Sequence, residues 1–415
     1  MLRQLLLLSQ ATAAPARTDP SEYLPLYNAS ARALKSVHPT LRVGGPATAT
    51  LAHLVDFASR AAAAGRGGDV VPIDFISSHF YPSEANCTNP HALLGRDPDC
   101  FSKSVLAASR RLATAMAAGG GGARVPFLLT EFNSGLQGGP GTGEAGPQGD
   151  TAYAASFAIR NVPLLATANI ARAAAQGGAA DTAADTAAVE LASWWAVSDI
   201  FEEGWMSGVP FYGGFGLLNT QGVAKPSYRA FQLLAGTGAY HLPVTLRDPS
   251  PDYPHIGNHS TVSALATVDD GGDGDGGDGG AGAARTMRGL QILLSNFAPE
   301  RGASGAPWAP RARNVSLRLI AAGSAPHCRP AERVQMQRID DVSTNPRKAW
   351  LAMGSPDYPN AKQLAQLHAA SEMPKQQLAA ARAKQEANPC ASTVGPIEIP
   401  AYGVVHLGSF EAAAS

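Results

Sequence analysis

The stretch Val125-Pro126-Phe127-Leu128-Leu129-Thr130-Glu131 sets three large apolar residues in a row and ends on a carboxylate. A short, unbroken apolar run is what a strand covered on both faces requires, and such strands belong to parallel sheets. Comparable runs stand at Leu41–Pro46, Ile73–Tyr81 and Leu191–Asp199, and helical patterns lie between them. Ser21–Val37 carries Tyr23, Leu24, Tyr27, Ala31 and Leu34 at helical spacing, with Ser21 expected as the N-cap. Leu51–Ala64, Ser102–Ala118, Thr151–Ala174 and Pro226–Leu234 complete the series. Helix and strand therefore alternate from residue 21 to about residue 240, which predicts a parallel sheet with crossover helices.

Three of these strands end in polar groups: Ser77, His79 and Tyr81 on one, Glu131 and Asn133 on the next, Ser198 and Asp199 on the last. Polar groups at the carboxyl ends of strands are found in doubly wound sheets and in (β/α)8 barrels alike. Neither G-x-G-x-x-G nor G-x-x-x-x-G-K-[ST] follows any of the strands, so no nucleotide cofactor is expected and a barrel is preferred. After about Leu242 the pattern changes. Thr261–Val268, Leu290–Phe297, Asn314–Ile320 and Ile397–Leu407 read as short strands, and Val315, Leu317 and Leu319 alternate with Ser316 and Arg318 as on a half-buried antiparallel strand. The expected division is an N-terminal segment 1–20, a barrel-type domain 21–240 and a β-sandwich 241–415 with a helical insertion near 361–387. The Ala-rich run 173–188 and the Asp/Gly repeat 271–282 read as solvated loop insertions.

The 415 residues carry 32 basic and 33 acidic side chains, a net charge of −1, with no basic stripe. Nucleic acid and anionic membrane surfaces are thus not expected as partners. No apolar run reaches the ~20 residues that span a bilayer. Four cysteines, Cys87, Cys100, Cys328 and Cys390, form no C-x-x-C pair, and no second His stands at ligand spacing, so no metal site is indicated. Asn-x-Ser/Thr sequons occur at Asn28, Asn86, Asn258 and Asn314. A Cys87–Cys100 bridge would staple the polar loop between them in an oxidising compartment; free thiols and chance sequons are the alternative. A secreted or lysosome-like location is the reading preferred. The block Leu5–Leu8 after Arg3 is shorter than the ~7–15 apolar residues of a secretory leader.

Glu131, directly after a buried strand, is placed to act as nucleophile, general acid or general base; a structural salt bridge is the competing role. His79 and Tyr81 lie two apart and so share a strand face, from which the Tyr hydroxyl can orient a neighbouring carboxylate. Trp194 and Trp195 point to opposite faces; one can pack on the helices while the other offers a flat surface to a sugar. The loop that follows, with Asp199, Phe201, Glu202, Glu203 and Trp205, suits hydrogen bonding to vicinal hydroxyls, or is merely solvated.

Taken together, Leu34–Ala49 (LKSVHPTLRVGGPATA), Asp74–Pro82 (DFISSHFYP), Leu128–Gly135 (LLTEFNSG), Ser193–Gly204 (SWWAVSDIFEEG), Phe211–Leu234 and Arg338–Pro359 resemble glycoside hydrolase family 39. That family holds β-xylosidases and α-L-iduronidase, and the xylosidase branch looks closer. The resemblance implies a (β/α)8 barrel followed by a β-sandwich, and retaining hydrolysis of xylosides or related glycosides without a cofactor. It maps the nucleophile onto Glu131. Substrate contacts map onto His79 and Tyr81 and onto one of the pair Glu202 and Glu203, and Asn133 with Trp194 or Trp195 is expected to complete the sugar site. The family's general acid/base is the Glu of an Asn-Glu-Pro motif at the end of strand four, and no Asn-Glu-Pro occurs in this sequence. The four strands counted above then correspond to strands five to eight, a partial barrel, and a reading frame truncated at its start is expected. The rival function is a non-catalytic carbohydrate-binding or scaffold protein built from the same parts.

Overall fold

The computed structural model describes residues 6–7, 20–68, 70–82, 87, 97–118, 125–135, 148–176, 189–200, 209–248, 260–269, 289–299, 310–320, 331–382 and 391–412. The chain divides into two compact units. The first takes in Met1–Gly95, Asp99–Leu136 and Asn161–Trp195; the second takes in Arg96–Pro98, Gln137–Arg160 and Ala196–Ser415.

The first unit is built on a five-stranded, all-parallel sheet: β1 (Leu6–Leu7), β2 (Val43–Thr48), β3 (Phe75–His79), β4 (Phe127–Phe132) and β5 (Leu191–Trp194). The strands lie in sequence order across the sheet, β1-β2-β3-β4-β5. A doubly wound sheet reverses direction part-way, whereas an order that only increases is that of a singly wound, barrel-type sheet with its crossovers all of one hand. The crossovers are α1 (Pro20–Val37), α2 (Leu54–Arg66), α3 (Cys100–Ala117) and the part of α4 (Ala152–Gln176) from Asn161 on. Tyr27 and Ala31 of α1 pack with Phe57 of α2 and Val43 of β2, fixing both helices to the sheet. Gly44 leaves room for β3, since a Cβ there would lie 2.3 Å from the Phe75 carbonyl oxygen.

Several expected boundaries move. Helix α1 begins at Pro20, so Ser21 is inside the helix and not its cap. The run 173–188 begins as helix, because α4 continues to Gln176; the rest of it, like 271–282, lies outside the described residues. The strand expected over Leu191–Asp199 ends at Trp194. From Ala196 onward the backbone takes other partners, with Ala196 N–H donating to Phe215 O and Asp199 N–H to Leu218 O.

The second unit carries an eight-stranded antiparallel sheet made of β6 (Tyr240–Leu242), β7 (Val262–Val268), β8 (Gln291–Asn296), β9 (Arg313–Ile320), β10 (Ala331–Ile339), β11 (Gln376–Arg382), β12 (Ala391–Ile399) and β13 (Val404–Ala412). Its order is β6-β7-β8-β13-β10-β11-β12-β9. Ala266, Ile292, Leu294, Val334, Met336, Val394, Ile397, Val405 and Leu407 form one apolar core, and Val315, Leu317 and Leu319 of β9 pack against it. Strands far apart in the order thus share one interior, so the sheet is curled on itself.

In this sheet the expectations fare unevenly. The run expected as one strand, Ile397–Leu407, is the end of β12, a turn over 400–403, and the start of β13. The helical insertion expected near 361–387 is a helix only at α7 (Ala361–Ala370), where Asn360 and Gln363 form a reciprocal capping box. It follows α5 (Pro226–Ala235) and α6 (Pro346–Ala352) in the chain. Gln376–Arg382 has the Gln/Ala composition of a helix but is strand β11, paired with β10 and β12. Leu378 and Ala380 face the core there at period two, and that burial overrides the weak helical preference. Among the described residues no helix is long and apolar enough to cross a membrane.

Candidate active site

Parallel pairing of β3 and β4 sets His79 opposite Glu131, with an irregularity in the ladder just before this pair. The backbone beyond the strand is held in step by Phe80 N–H, which donates to Glu131 O at 3.0 Å. Both neighbours of the carboxylate therefore come from one chain segment, residues 79 and 81. Tyr81 Oη donates to Glu131 Oε1 at 2.6 Å. His79 Nδ1 lies 3.2 Å from Glu131 Oε2, and Thr130 Oγ1 lies 3.4 Å from the same ring nitrogen while donating to Ser78 O. Each oxygen of Glu131 is gripped by a different side chain, which fixes the plane of the carboxylate.

Exposure divides the roles. Tyr81 is buried at 4%, whereas the side chains of Glu131 and His79 keep 20% and 15% of their surface open. The carboxylate can be approached, and the phenol that orients it cannot. A group held this way is suited to attack an electrophilic carbon or to move a proton, since its geometry is set before any ligand arrives.

Asn133 is buried, and its amide is engaged with the chain: Nδ2 donates to Trp195 O and Oδ1 accepts from Ser134 N–H. It ties the end of β4 to the residue after β5. Trp194 meets Phe132 edge to face at 5.3 Å, and Phe132 meets Phe101 of α3, which stacks on Phe80. Trp194 thus belongs to an aromatic cluster that reaches α3 through Phe132. Trp195 is half-buried, its backbone N–H donating to Phe132 O. Glu202 and Glu203, with Phe201 and Trp205, lie outside the described residues. The thiols of Cys87 and Cys100 are joined in a disulfide that anchors the first residue of α3 to the loop after Tyr81.

The second unit holds a carboxylate group of another kind, which the sequence reading missed. Lys225 Nζ lies 2.6 Å from Asp150 Oδ1 and 2.7 Å from Asp199 Oδ1, and all three side chains are wholly buried. Lys225 also donates to Gly214 O, Gly213 N–H donates to Asp150 Oδ2, and Gly216 N–H donates to Asp199 Oδ1. A Cβ on Gly216 would lie 2.1 Å from Asp199 N, so the loop closes on the aspartate only because glycine stands there. Burial foremost, and the charge of Asp150 after it, push the Asp199 carboxyl up to about 6 against the pull of Lys225. Asp199 was expected in a loop facing hydroxyl groups; its carboxylate is instead bound to lysine and backbone. Nothing in a sequence marks a lysine as buried, and the only local sign was Pro226 after it, the first residue of α5.

Among the described residues no three His, Cys, Asp or Glu side chains stand close enough together to hold a metal ion.

Comparison with known proteins follows the same lines. The family model described as "Glycosyl hydrolases family 39" matches residues 14–388. A β-xylosidase of Caldicellulosiruptor saccharolyticus is 29% identical over 363 residues, covering 86% of this chain and 58% of the relative. A β-xylosidase of Geobacillus stearothermophilus is 29% identical over 219 residues, 52% of this chain and 37% of the relative. The structure of a family 39 β-xylosidase from Caulobacter crescentus superposes with a TM-score of 0.55 at 21% identity, covering 94% of this chain and 62% of that one. A bacterial orthologue of human α-L-iduronidase superposes at 0.53 with 17% identity, covering 96% of this chain and 60% of that one. At such identities the superpositions speak for the fold, a barrel with an attached β domain. The chain spans less than two thirds of the length of each of these proteins.

Proposed function

Because the chain belongs to glycosyl hydrolases family 39, we propose that it carries the nucleophile side of a retaining O-glycosidase acting on β-xylosides or related glycosides. The observation that carries this reading is the carboxylate of Glu131, open to approach yet held on both oxygens by Tyr81 and His79 at the carboxyl end of a parallel strand. Glu131 attacks the anomeric carbon, the bond to the leaving oxygen breaks, and a covalent glycosyl-enzyme forms; water then cleaves it with overall retention. Tyr81 is a positioning residue, and His79, with its ring partly open, contacts the sugar. Glu202 and Glu203 are assigned to the sugar site by resemblance, and Trp195 by the stacking surface its ring offers a sugar. Asn133 and Trp194 act on its framework, through the backbone of β5 and the aromatic packing.

The continuously increasing strand order supports reading β2–β5 as strands five to eight of a (β/α)8 barrel. Retaining hydrolysis also needs a second carboxyl about 5–5.5 Å from the first to protonate the leaving oxygen. The 415 residues contain no Asn-Glu-Pro, and the proton donor is assigned to polypeptide outside them. That absence is also what favours the second reading, a carbohydrate-binding protein without turnover.

A mechanism-based label separates the two. A 2-deoxy-2-fluoro-xyloside with a dinitrophenolate leaving group needs no proton donor for the first step, so it should leave a fluoroxylosyl adduct on Glu131, found by peptide mass spectrometry. Glu131→Gln should take no label. Xyloside binding by calorimetry with no adduct on the wild-type chain would establish the binding-protein reading instead.

A further inference from the structure

Of the four sequons, two fall on described residues, and the structure treats them differently. Asn28 of Asn28-Ala29-Ser30 sits mid-helix in α1, half-buried, with its Oδ1 accepting from Arg32 Nε at 3.0 Å. Arg32 is itself anchored on the Val70 carbonyl at 2.8 Å. Asn314 of Asn314-Val315-Ser316 lies near the start of β9, whose residues alternate strictly between half-buried and exposed. Asn314 and Ser316 are both exposed, while Val315 between them packs on the core. Residues two apart on a strand share a face, so the amide and the hydroxyl that define the acceptor stand side by side in solvent. Among the described residues the Asn314 side chain makes no hydrogen bond.

β9 is also the last strand of its sheet. It pairs with β12 on one side, where Asn314 is opposite Glu398, and no described strand pairs with its other side. Eight residues of edge strand, with Ile320 at 56% exposure near its end, form a ready template for pairing with another chain. The Cys87–Cys100 disulfide adds an independent sign of a route through an oxidising compartment, where sequons meet their transferase.

We propose that Asn314 is an N-glycosylation site whose glycan covers the edge of the β domain that no described strand pairs. In that step Asn314 Nδ2 displaces the diphosphate of a polyprenyl-diphosphate oligosaccharide. The new bond joins Nδ2 to the anomeric carbon, the bond from that carbon to the diphosphate oxygen breaks, and the amide proton leaves with the polyprenyl diphosphate. Asn28, with its amide tied to Arg32 and its helix packed on α2, remains unmodified. A glycan on the outward face of β9 adds a bulky hydrophilic group and leaves Val315, Leu317 and Leu319 in the core.

The test uses the full chain secreted from insect cells, deglycosylated enzymatically in heavy-oxygen water and mapped by mass spectrometry. A labelled aspartate at position 314, with Asn28 unlabelled, is the expected result; an unlabelled position 314 overturns the proposal. Asn314→Gln and Ser316→Ala should each lose the mass of one glycan, and either variant keeping the full glycan complement also overturns it. Enzymatic removal of the glycan from folded protein should raise the aggregated fraction on size exclusion several-fold. No change there defeats the edge-shielding role.

Discussion

Glu131 and the pair Asp150 and Asp199 are carboxylates placed by neighbouring elements of a folded chain, yet they are kept in opposite ways. Glu131 retains a fifth of its surface and is held by a phenol and an imidazole. The side chains of Asp150 and Asp199 have no surface at all and are held by one ammonium and by backbone N–H groups of a glycine loop. A buried charge persists only when it is paired and hydrogen-bonded, because removal from water costs several kcal/mol per ion. Lys225 supplies one positive charge to the two carboxylates and ties up the oxygen it meets on each. A phenol and an imidazole fix the direction of Glu131 while part of its surface stays open to a ligand. The contrast separates a fastening from a reactive site more cleanly than burial or residue type alone.

Removing the ammonium should break the fastening most severely. Lys225→Met leaves two uncompensated aspartates in the interior, and a loss of about 3–5 kcal/mol is expected in urea unfolding. Replacing all three members with neutral residues of similar size should recover much of that loss. A Lys225→Met protein as stable as wild type would show that water reaches the cluster.

The reactive site should respond in rate and hardly in stability. Tyr81→Phe removes one hydrogen bond to an ionised group, worth about 1.5–3 kcal/mol. Labelling of Glu131 by the fluoroxyloside should slow roughly 10- to 150-fold. The midpoint of unfolding should move little. An equal loss of both would reduce Tyr81 to a core residue.

The smallest effect sharpens the comparison through pH. The folded Asp199 carboxyl titrates near 6, above its ordinary value of 3.8. Between those values the folded chain holds a proton that the unfolded chain has released. This contribution to stability is complete below the unfolded value and is lost as pH rises through about 6. Asp199→Asn stays neutral throughout, so urea midpoints measured from about pH 4 to about pH 7 should fall less steeply than in wild type. Equal slopes would place the titration elsewhere.

Much of this was legible in the chain. Apolar runs ending in polar residues located β3 and β4, a short run ending in a glycine turn located β2, and the alternation through Val315, Leu317 and Leu319 located β9. Tyr81 beside Glu131 was legible too, since His79 and Tyr81 read as one face turned to a neighbouring carboxylate, although β3 itself ends at His79. Strand β10 was not read, because Glu332, Arg333, Gln335 and Gln337 hide the inward pair Val334 and Met336. Strand β11 was read as helix because its alanines and glutamines favour one, and only its place between two strands decides otherwise. Trp194 and Trp195 could not be told apart until Phe132 was seen against one of them.

The sequence by itself determined the alternation of elements, the strand that carries Glu131 and the motif context around it, because periodicity and strand-end chemistry are local properties of a chain. Only the tertiary structure decided that Asp150, Lys225 and Asp199 meet, that Asn133 binds backbone, and that the two described sequons differ in exposure. Those outcomes depend on burial and on partners up to tens of residues away, and neither is set by any residue's immediate neighbours.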